Sequence, residues 1–445
     1  MSLYSKLLIR LSYSLAGRSE MNLYDELTKT ALLSFEELEQ RQNIQLRSLI
    51  NFSYANIKYY RELFKSLKLT PEDFKTTQDL NKLPILTKEI IQKNSRDFLP
   101  AQPYSKYFNC KTGGSTGQSM AYRCSDTCYS MGVALMYRGW GYAGYEPGDP
   151  VFFFGGGSII KDHLSFRAKM SFKTRNIYPY SSFGVSTEDY KSIFEFIHRH
   201  KPKFFRGYSS AITLLAKTVM EQGGIERLGI ERPKAIFTTA DMLLPNQRHL
   251  IEEVFQCQVY NNYGLNDGGI GAYENRKVDG FLVDPERSYM ETVDKDFQSI
   301  FLQSGTILAT SLHNFDFPFI RYDTGDLGIL SKEHIKEGTL NKVILMDLQG
   351  RSSDYLTING KTITAPGLTV IMGKFDIWKY QIVQNSACEI DLLIDKGPSY
   401  NDTDEVKLRE SLVSFFGNVT VTFYYDREFL ASGNKHKFII DLTKN

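Results

Sequence analysis

The chain has 445 residues, 42% of them hydrophobic, and its 53 lysines and arginines are set against 51 aspartates and glutamates for a formal charge of +2. That length exceeds what one hydrophobic core serves and predicts two or more domains. The near-balance of charge, without a basic stripe, excludes an electrostatic case for nucleic acid and leaves small-molecule chemistry. Cys110, Cys124, Cys128, Cys257 and Cys388 are odd in number and scattered. They outline neither a disulfide framework nor a zinc ribbon, so a reducing cytoplasm is the expected location.

Met1 to Arg18 set Lys6, Arg10 and Arg18 among leucines, with no uncharged run that could span a bilayer. The segment reads as a helix packed on the main domain, without stable membrane insertion. Peripheral contact with a membrane surface is the alternative that its basic, apolar character leaves. Ser34 followed by Glu37 is a capping box, predicting a helix that runs towards Tyr54. From about residue 150 strands and helices alternate. Val151-Phe152-Phe153-Phe154 reads as a buried strand, and Ile193, Phe194 and Ile197 mark one face of a helix stopped before Pro202. Ile212, Leu215 and Val219 mark another helix, ended by Gly223-Gly224 and followed by the strand Ala235-Ile236-Phe237-Thr238. Pro245 opens a helix through Leu250, Ile251, Val254 and Phe255, which returns to the strand Val259-Tyr260.

Strands separated by helices of this length predict βαβ units of an α/β fold, whose parallel sheets bind ligands beyond the strand ends. After residue 280 short β-like segments take over, including Thr306 to Thr310 and Lys342 to Met346, and predict a β subdomain. From Gly350 onward a compact α+β unit is expected, with Val406 to Phe416 helical and Val419 to Tyr424 a strand. The division is therefore 1–349 and 350–445.

The most informative stretch is Lys111-Thr112-Gly113-Gly114-Ser115-Thr116-Gly117-Gln118. Glycines let backbone N–H groups converge on an anion, and hydroxyls add donors. The Gly-Lys-Ser/Thr ending of the common P-loop is absent, and a plain surface turn is the competing reading. Further along stand Asn262-Tyr263-Gly264-Leu265-Asn266-Asp267, Arg321-Tyr322-Asp323-Thr324-Gly325-Asp326-Leu327, Gly350-Arg351-Ser352-Ser353-Asp354 and Ser432-Gly433-Asn434-Lys435-His436-Lys437.

In this order and spacing the series resembles the adenylate-forming superfamily of acyl-coenzyme A synthetases and luciferases, over roughly residues 45 to 440. Tyr59 to Phe64 and Leu83-Pro84-Ile85-Leu86-Thr87-Lys88 resemble the phenylacetate–coenzyme A ligase branch. Thr238 to Pro245 with Gln247-Arg248 is similar to its relatives in capsular-polysaccharide biosynthesis, the CapK-like proteins.

The resemblance implies a large N-terminal nucleotide- and acyl-binding domain and a small mobile C-terminal lid. Thr112, Gly113, Gly114, Ser115, Thr116 and Gly117 would cradle the β and γ phosphates of ATP. Gln118 stands where the family often has lysine, with Lys111 close by. Asp267 would hold Mg²⁺ where relatives usually carry glutamate; either carboxylate gives the hard oxygen that the ion prefers. Asn266-Asp267-Gly268-Gly269 is also good turn chemistry. Asp326 would accept hydrogen bonds from both ribose hydroxyls, and Arg351 would add positive charge, a surface ion pair being its bland alternative. Ala240, Asp241, Asn261, Asn262, Tyr263 and Gly264 correspond to the adenine pocket, Tyr263 being the stacking platform. Lys435 would bridge carboxylate and α-phosphate, with Lys437 the lesser candidate and a solvated tail the alternative. Ser353 departs from the acid about which relatives pivot. Some relatives carry a zinc loop beginning Glu-Cys, whereas this chain reads Glu274-Asn275, so no structural zinc is expected there. Tyr142, Phe153 and Tyr208 fall near segments that line the acyl pocket.

The implied activity is ATP-dependent formation of an acyl-adenylate from a small-molecule carboxylate, with transfer of the acyl group to coenzyme A or to an amine or hydroxyl, including one borne by a sugar. A catalytically degenerate nucleotide-binding sensor or scaffold is the alternative, motivated by Gln118, Asp267 and Ser353. Either a monomer or a homodimer is compatible with the sequence.

Overall fold

The computed structural model describes residues 3–15, 17–31, 33–112, 120–155, 165–182, 185, 189–335, 340–351, 355–364, 368, 371–425, 427–430 and 438–444. Helices α1 (Leu3–Leu15), α2 (Glu20–Thr30), α3 (Phe35–Asn56), α4 (Lys58–Leu67) and α5 (Lys88–Lys93) open the chain. At the head of α3 the Glu37 amide donates to Ser34 Oγ at 3.2 Å, and the Ser34 amide donates to the Glu37 carboxylate at 2.8 Å. The expected capping box is therefore made, and it satisfies two amides that a helix start leaves without partners. Helix α1 packs on the main body through buried Ile9 and Tyr13, whose phenol lies 3.0 Å from that of Tyr137. No described helix is long and apolar enough to cross a membrane.

A hairpin of β1 (Tyr107–Lys111) and β2 (Ala121–Ser125) leads into α6 (Asp126–Trp140). The alternating region follows: β3 (Val151–Gly155), α7 (Phe166–Thr174), β4 (Ile177–Ser181), α8 (Asp189–His200), β5 (Phe204–Tyr208), α9 (Ser209–Glu221), α10 (Gly224–Arg227), β6 (Ala235–Thr239), α11 (Pro245–Phe255) and β7 (Gln258–Leu265). These strands pair in parallel in the order β7-β6-β5-β3-β4, as the βαβ reading requires. Both faces of the sheet are covered. Phe152, Phe154, Phe205, Ile236 and Val259 face α8, α9 and α11, while Phe153, Phe237 and Tyr260 share the other core with Trp140 and Tyr137 of α6. Continuous apolar runs are what strands buried on two sides need. Each such side chain contributes about 1.5–3 kcal/mol by leaving water.

The β subdomain expected after residue 280 is the antiparallel half of the same sheet. Strands β8 (Ile270–Glu274), β9 (Phe281–Val283), β10 (Ser288–Val293), β11 (Ser299–Ile300), β12 (Ser304–Ser311), β13 (Tyr322–Ile335) and β14 (Leu340–Arg351) extend it from β7 in the order β8-β9-β14-β13-β12-β10-β11. The β13–β14 pairing shifts register on either side of Leu327, and β12 shifts against β13 between Thr306 and Leu308. Such bulges re-aim side chains, here beside Asp326.

The C-terminal unit has a hairpin of β15 (Tyr355–Ile358) and β16 (Lys361–Thr364), and a four-stranded sheet of β17 (Ile377–Gln384), β18 (Glu389–Lys396), β19 (Thr420–Tyr424) and β20 (Ile439–Asp441). The helix Asp402–Phe416 buries Leu408 and Leu412 in its core. This helix begins four residues before the apolar pattern that predicted it. Its first turn is acidic, and Asn401 accepts from the amides of Thr403 and Asp404 at 2.9 and 3.4 Å; cap and macrodipole start the helix where no periodicity signals it. Leu244, from the loop after β6, is part of the same core. Lys217 on α9 pairs with Asp395 at 2.6 Å, and Gln247 on α11 donates to the Trp378 carbonyl at 2.9 Å.

Candidate active site

Among the described residues, Ala240 and Asp241 follow β6, Asn261 to Gly264 lie at the end of β7, and Asp326 stands near the start of β13. Ala240, just past β6, takes a left-handed backbone with φ 72°, which costs a non-glycine residue about 1–3 kcal/mol and persists only where neighbours enforce it. The neighbours are on α9: Ser210 Oγ donates to the Asp241 carboxylate at 2.6 Å, and Ser209 Oγ donates to the Asp241 carbonyl at 3.1 Å. Asp241 is thus spent on holding its own loop.

Asn261 and Asn262 lock β7 to β6. Thr238 Oγ1 donates to Asn261 Oδ1 at 3.1 Å, the Asn262 amide N–H donates to the same oxygen at 3.0 Å, and Asn262 Nδ2 donates to the Thr238 carbonyl at 3.2 Å. Next along β7, the Tyr263 phenol donates to Asp326 Oδ2 at 2.8 Å, beside exposed Gly264. Burial first, and then the Asp326 carboxylate, holds that phenol well above its ordinary pKa, so it stays a proton donor. Asp326 is nearly buried, and its amide donates to Thr324 Oγ1 at 3.1 Å.

Asp267 occupies the turn from β7 to β8, where Gly268 and Gly269 have φ of 107° and 73°. A Cβ at Gly268 would lie 2.9 Å from Ala309 Cβ, so the turn packs directly on β12. The turn expected of Asn266-Asp267-Gly268-Gly269 is present, and it carries Asp267. Tyr322 donates to Asp267 Oδ2 at 3.3 Å. Asp267 also raises the pKa of Tyr263, behind burial and Asp326, and that of Tyr122 on β2, behind burial. One phenol, Tyr263, therefore lies in the fields of both carboxylates, and Asp267 looks towards the β1–β2 hairpin.

At the mouth of that hairpin the Thr112 amide donates to the Met120 carbonyl, and the Met120 amide donates to Thr112 Oγ1, both at 2.9 Å. They join the two residues that flank 113–119. Gly113, Gly114, Ser115, Thr116, Gly117 and Gln118 lie outside the described residues, as do Ser353, Lys435 and Lys437. Arg351 ends β14 with its backbone opposite Asp326. The segment Leu83 to Lys88 straps the start of β13: the Leu86 amide donates to the Arg321 carbonyl at 3.0 Å, the Asp323 amide to the Leu86 carbonyl at 2.9 Å, and Arg321 Nη1 to the Leu83 carbonyl at 2.8 Å.

Of the residues expected near the acyl pocket, Phe153 is buried on β3, Tyr208 ends β5, and Tyr142 stands in the turn after α6. Against the rings of Trp140 and Phe153 the structure places Arg206, which the sequence reading passed over. Its signal was an arginine inside the apolar strand Phe204-Phe205-Arg206-Gly207-Tyr208. Among the described residues no cluster of His, Cys, Asp and Glu could hold a metal by itself.

No family model matches the chain. It is 25% identical over 443 residues to protein CapK of Staphylococcus aureus, covering 96% of this chain and 94% of that one. It is 24% identical over 369 residues to the phenylacetate–coenzyme A ligase of Escherichia coli K12, covering 81% and 82%. Among solved structures, 2-hydroxyisobutyryl-CoA ligase in the postadenylation state with 2-HIB-AMP matches with a TM-score of 0.75 at 16% identity, over 93% of this chain and 91% of that one. The same ligase in an open conformation, with 2-HIB-AMP and CoA, matches at 0.62.

Proposed function

We propose, for a chain that belongs to the phenylacetate–coenzyme A ligase-like and CapK branch of the adenylate-forming superfamily, that it joins a small carboxylic acid to AMP and passes the acyl group to a second molecule. The observation that carries the proposal is the Tyr263–Asp326 hydrogen bond at 2.8 Å, with Asp267 acting on the same phenol beyond the ends of parallel strands. That is where α/β sheets bind ligands. The likeness to CapK and phenylacetate–coenzyme A ligase over most of the chain supports it.

In the first step a carboxylate oxygen attacks the α-phosphorus of ATP; a P–O bond forms, the bond to the bridging oxygen breaks, and pyrophosphate leaves with the electron pair. The chain's task is to hold these anions in line and offset their charge. Asp326 orients the ribose through its hydroxyls, Tyr263 holds Asp326 and offers its ring to adenine, and residues 112–117 take the phosphates. Lys435 neutralises charge between carboxylate and α-phosphate, and Arg351 adds positive charge for the nucleotide. Asp267 suits Mg²⁺, whose remaining ligands would be phosphate oxygens and water. That ion, when bound, offsets phosphate charge. In the second step a thiol, amine or hydroxyl attacks the acyl carbon and AMP leaves. Coenzyme A is one acceptor class; a sugar-borne amine or hydroxyl in polysaccharide synthesis is the other. This reading takes 1–349 as the nucleotide and acyl domain and 350–445 as the lid that brings Lys435.

Exchange of labelled pyrophosphate into ATP, driven by a panel of carboxylic acids, tests the proposal. Acid-dependent exchange is expected, and coenzyme A or amines supplied afterwards identify the acceptor. ATP binding without exchange for any acid would replace the ligase with a nucleotide-binding scaffold.

A further inference from the structure

Strand β5 is apolar and packed on both faces except at Arg206. Its ladder partners are Phe153 on β3 and Phe237 on β6, so its side chain stands on the face turned to α6. There the guanidinium carbon lies 5.1 Å from the ring centre of Trp140 and 4.9 Å from that of Phe153. Two aromatic faces stabilise a cation and fix the plane of its fork, but they leave the N–H groups in that plane without acceptors. No described carboxylate pairs with Arg206, and its Nε is buried without a partner. After burial, the groups that act on it most strongly are the phenols of Tyr273, Tyr137, Tyr129 and Tyr208.

Two other deep arginines hold carboxylates: Arg138 pairs with Asp284 and Glu286, each at 2.6 Å, and Arg321 with Glu291 at 2.9 Å. Arg287, whose Nε is likewise buried without a partner, faces the Cys128 thiol. An uncompensated buried cation is costly, and burial draws the pKa of Arg206 down; a guanidinium nevertheless stays protonated in a protein. Part of its surface remains accessible, whereas its neighbours Phe204 and Phe205 are fully buried. On the same face it sits two residues, roughly 7 Å, below Tyr208 at the strand end. That is depth enough for the far end of a short acid whose carboxyl reacts at the rim.

We propose that Arg206 determines acid specificity, and that the carboxylic acid activated here carries a second anionic group, a carboxylate or a phosphate, at the end remote from the reacting carboxyl. The inference rests on the ligase reading above. The planar fork takes such a group bidentately, and the rings of Trp140 and Phe153 keep it from turning away. A site built around a polar partner rejects the analogue lacking it far more strongly than an apolar pocket rejects a missing methylene.

The test uses the full-length protein and pairs of acids matched in length: succinate against butyrate, glutarate against pentanoate, and 3-phosphopropionate against both. Pyrophosphate exchange by the unaltered enzyme is expected to favour the doubly anionic member by about 100-fold or more in kcat/KM. Arg206→Met is expected to abolish that preference while sparing the monoacids, and Arg206→Lys to keep part of it. A monoacid preference in the unaltered enzyme, which needs no variant to measure, overturns the proposal; so does an equal loss for both acids in Arg206→Met. Calorimetric binding of the same acids separates this inference from the ligase reading. Diacid binding that is lost in Arg206→Met, without exchange by any acid, upholds the anion site and withdraws the ligase. Absence of diacid binding, or equal binding by both proteins, overturns the anion site.

Discussion

The phenol of Tyr263 donates to the carboxylate of Asp326 across 2.8 Å, joining the end of β7 to β13 over a separation of 63 residues. A hydrogen bond to an ionised group is worth about 1.5–3 kcal/mol when both partners are shielded. Tyr263→Phe keeps the ring and removes the donor, so ATP affinity should fall by about 10-fold, while Tyr263→Ala, losing the ring as well, should fall further. Calorimetric titration of ATP measures both; identical affinities for the two variants would mean that the ring makes no contact with adenine.

Asp326→Ala should weaken ATP by about 10-fold or more, since two ribose hydroxyls lose their acceptor. In combination with Tyr263→Phe the losses should not add, because the phenol acts through the carboxylate. Full additivity in the double-mutant cycle would separate the two residues functionally.

Gly268→Ala forces a Cβ to within 2.9 Å of Ala309 at φ 107°, a region closed to L side chains. The turn must shift and carry Asp267 with it. A loss of about 1–3 kcal/mol in stability is expected, together with a higher Mg²⁺ requirement for exchange. Asp267→Asn should reproduce the metal effect without the stability loss. Chemical denaturation and a Mg²⁺ titration distinguish the two variants, and an unchanged Mg²⁺ requirement in Asp267→Asn would remove the metal role.

Lys435→Ala should abolish exchange and leave ATP affinity within about twofold, since its charge is required where negative charge develops rather than in the ground state. Retained exchange would move the role to Lys437, which Lys437→Ala then tests.

Asp79 has a pKa of about 2. Burial opposes its ionisation, but Lys82 and the amides of Thr76 and Lys75 outweigh that effect. Its folded pKa lies below the unfolded value, so the stability it supplies is present above about pH 4 and is lost as pH falls towards 2. With solvent screening this amounts to about 1 kcal/mol. Asp79→Asn should cost that much at pH 7 and only a small part of it at pH 2, as read from urea unfolding at both values. An equal cost at both would show that charge is irrelevant to the segment leading to Leu83.

Residues close in the chain settled what neighbouring residues can settle. Ser34 and Glu37 start α3 because the cap is made within one turn, and the apolar runs of β3, β5, β6 and β7 declare strands buried on two faces. Tyr263, Asp267 and Asp326 were singled out in the sequence by the series of motifs to which they belong. What the chain order could not say is how they meet. The approach of Tyr263 to Asp326 depends on the antiparallel strands continuing from β8 to β13 in one sheet, and on bulges at Thr306 and Leu327 that aim a single carboxylate. Arg206 was hidden for the same reason. A lone arginine in an apolar strand looks like an interruption until the sheet and α6 bring two rings to it and no described carboxylate beside it, because pairing and burial are properties of distant segments brought together.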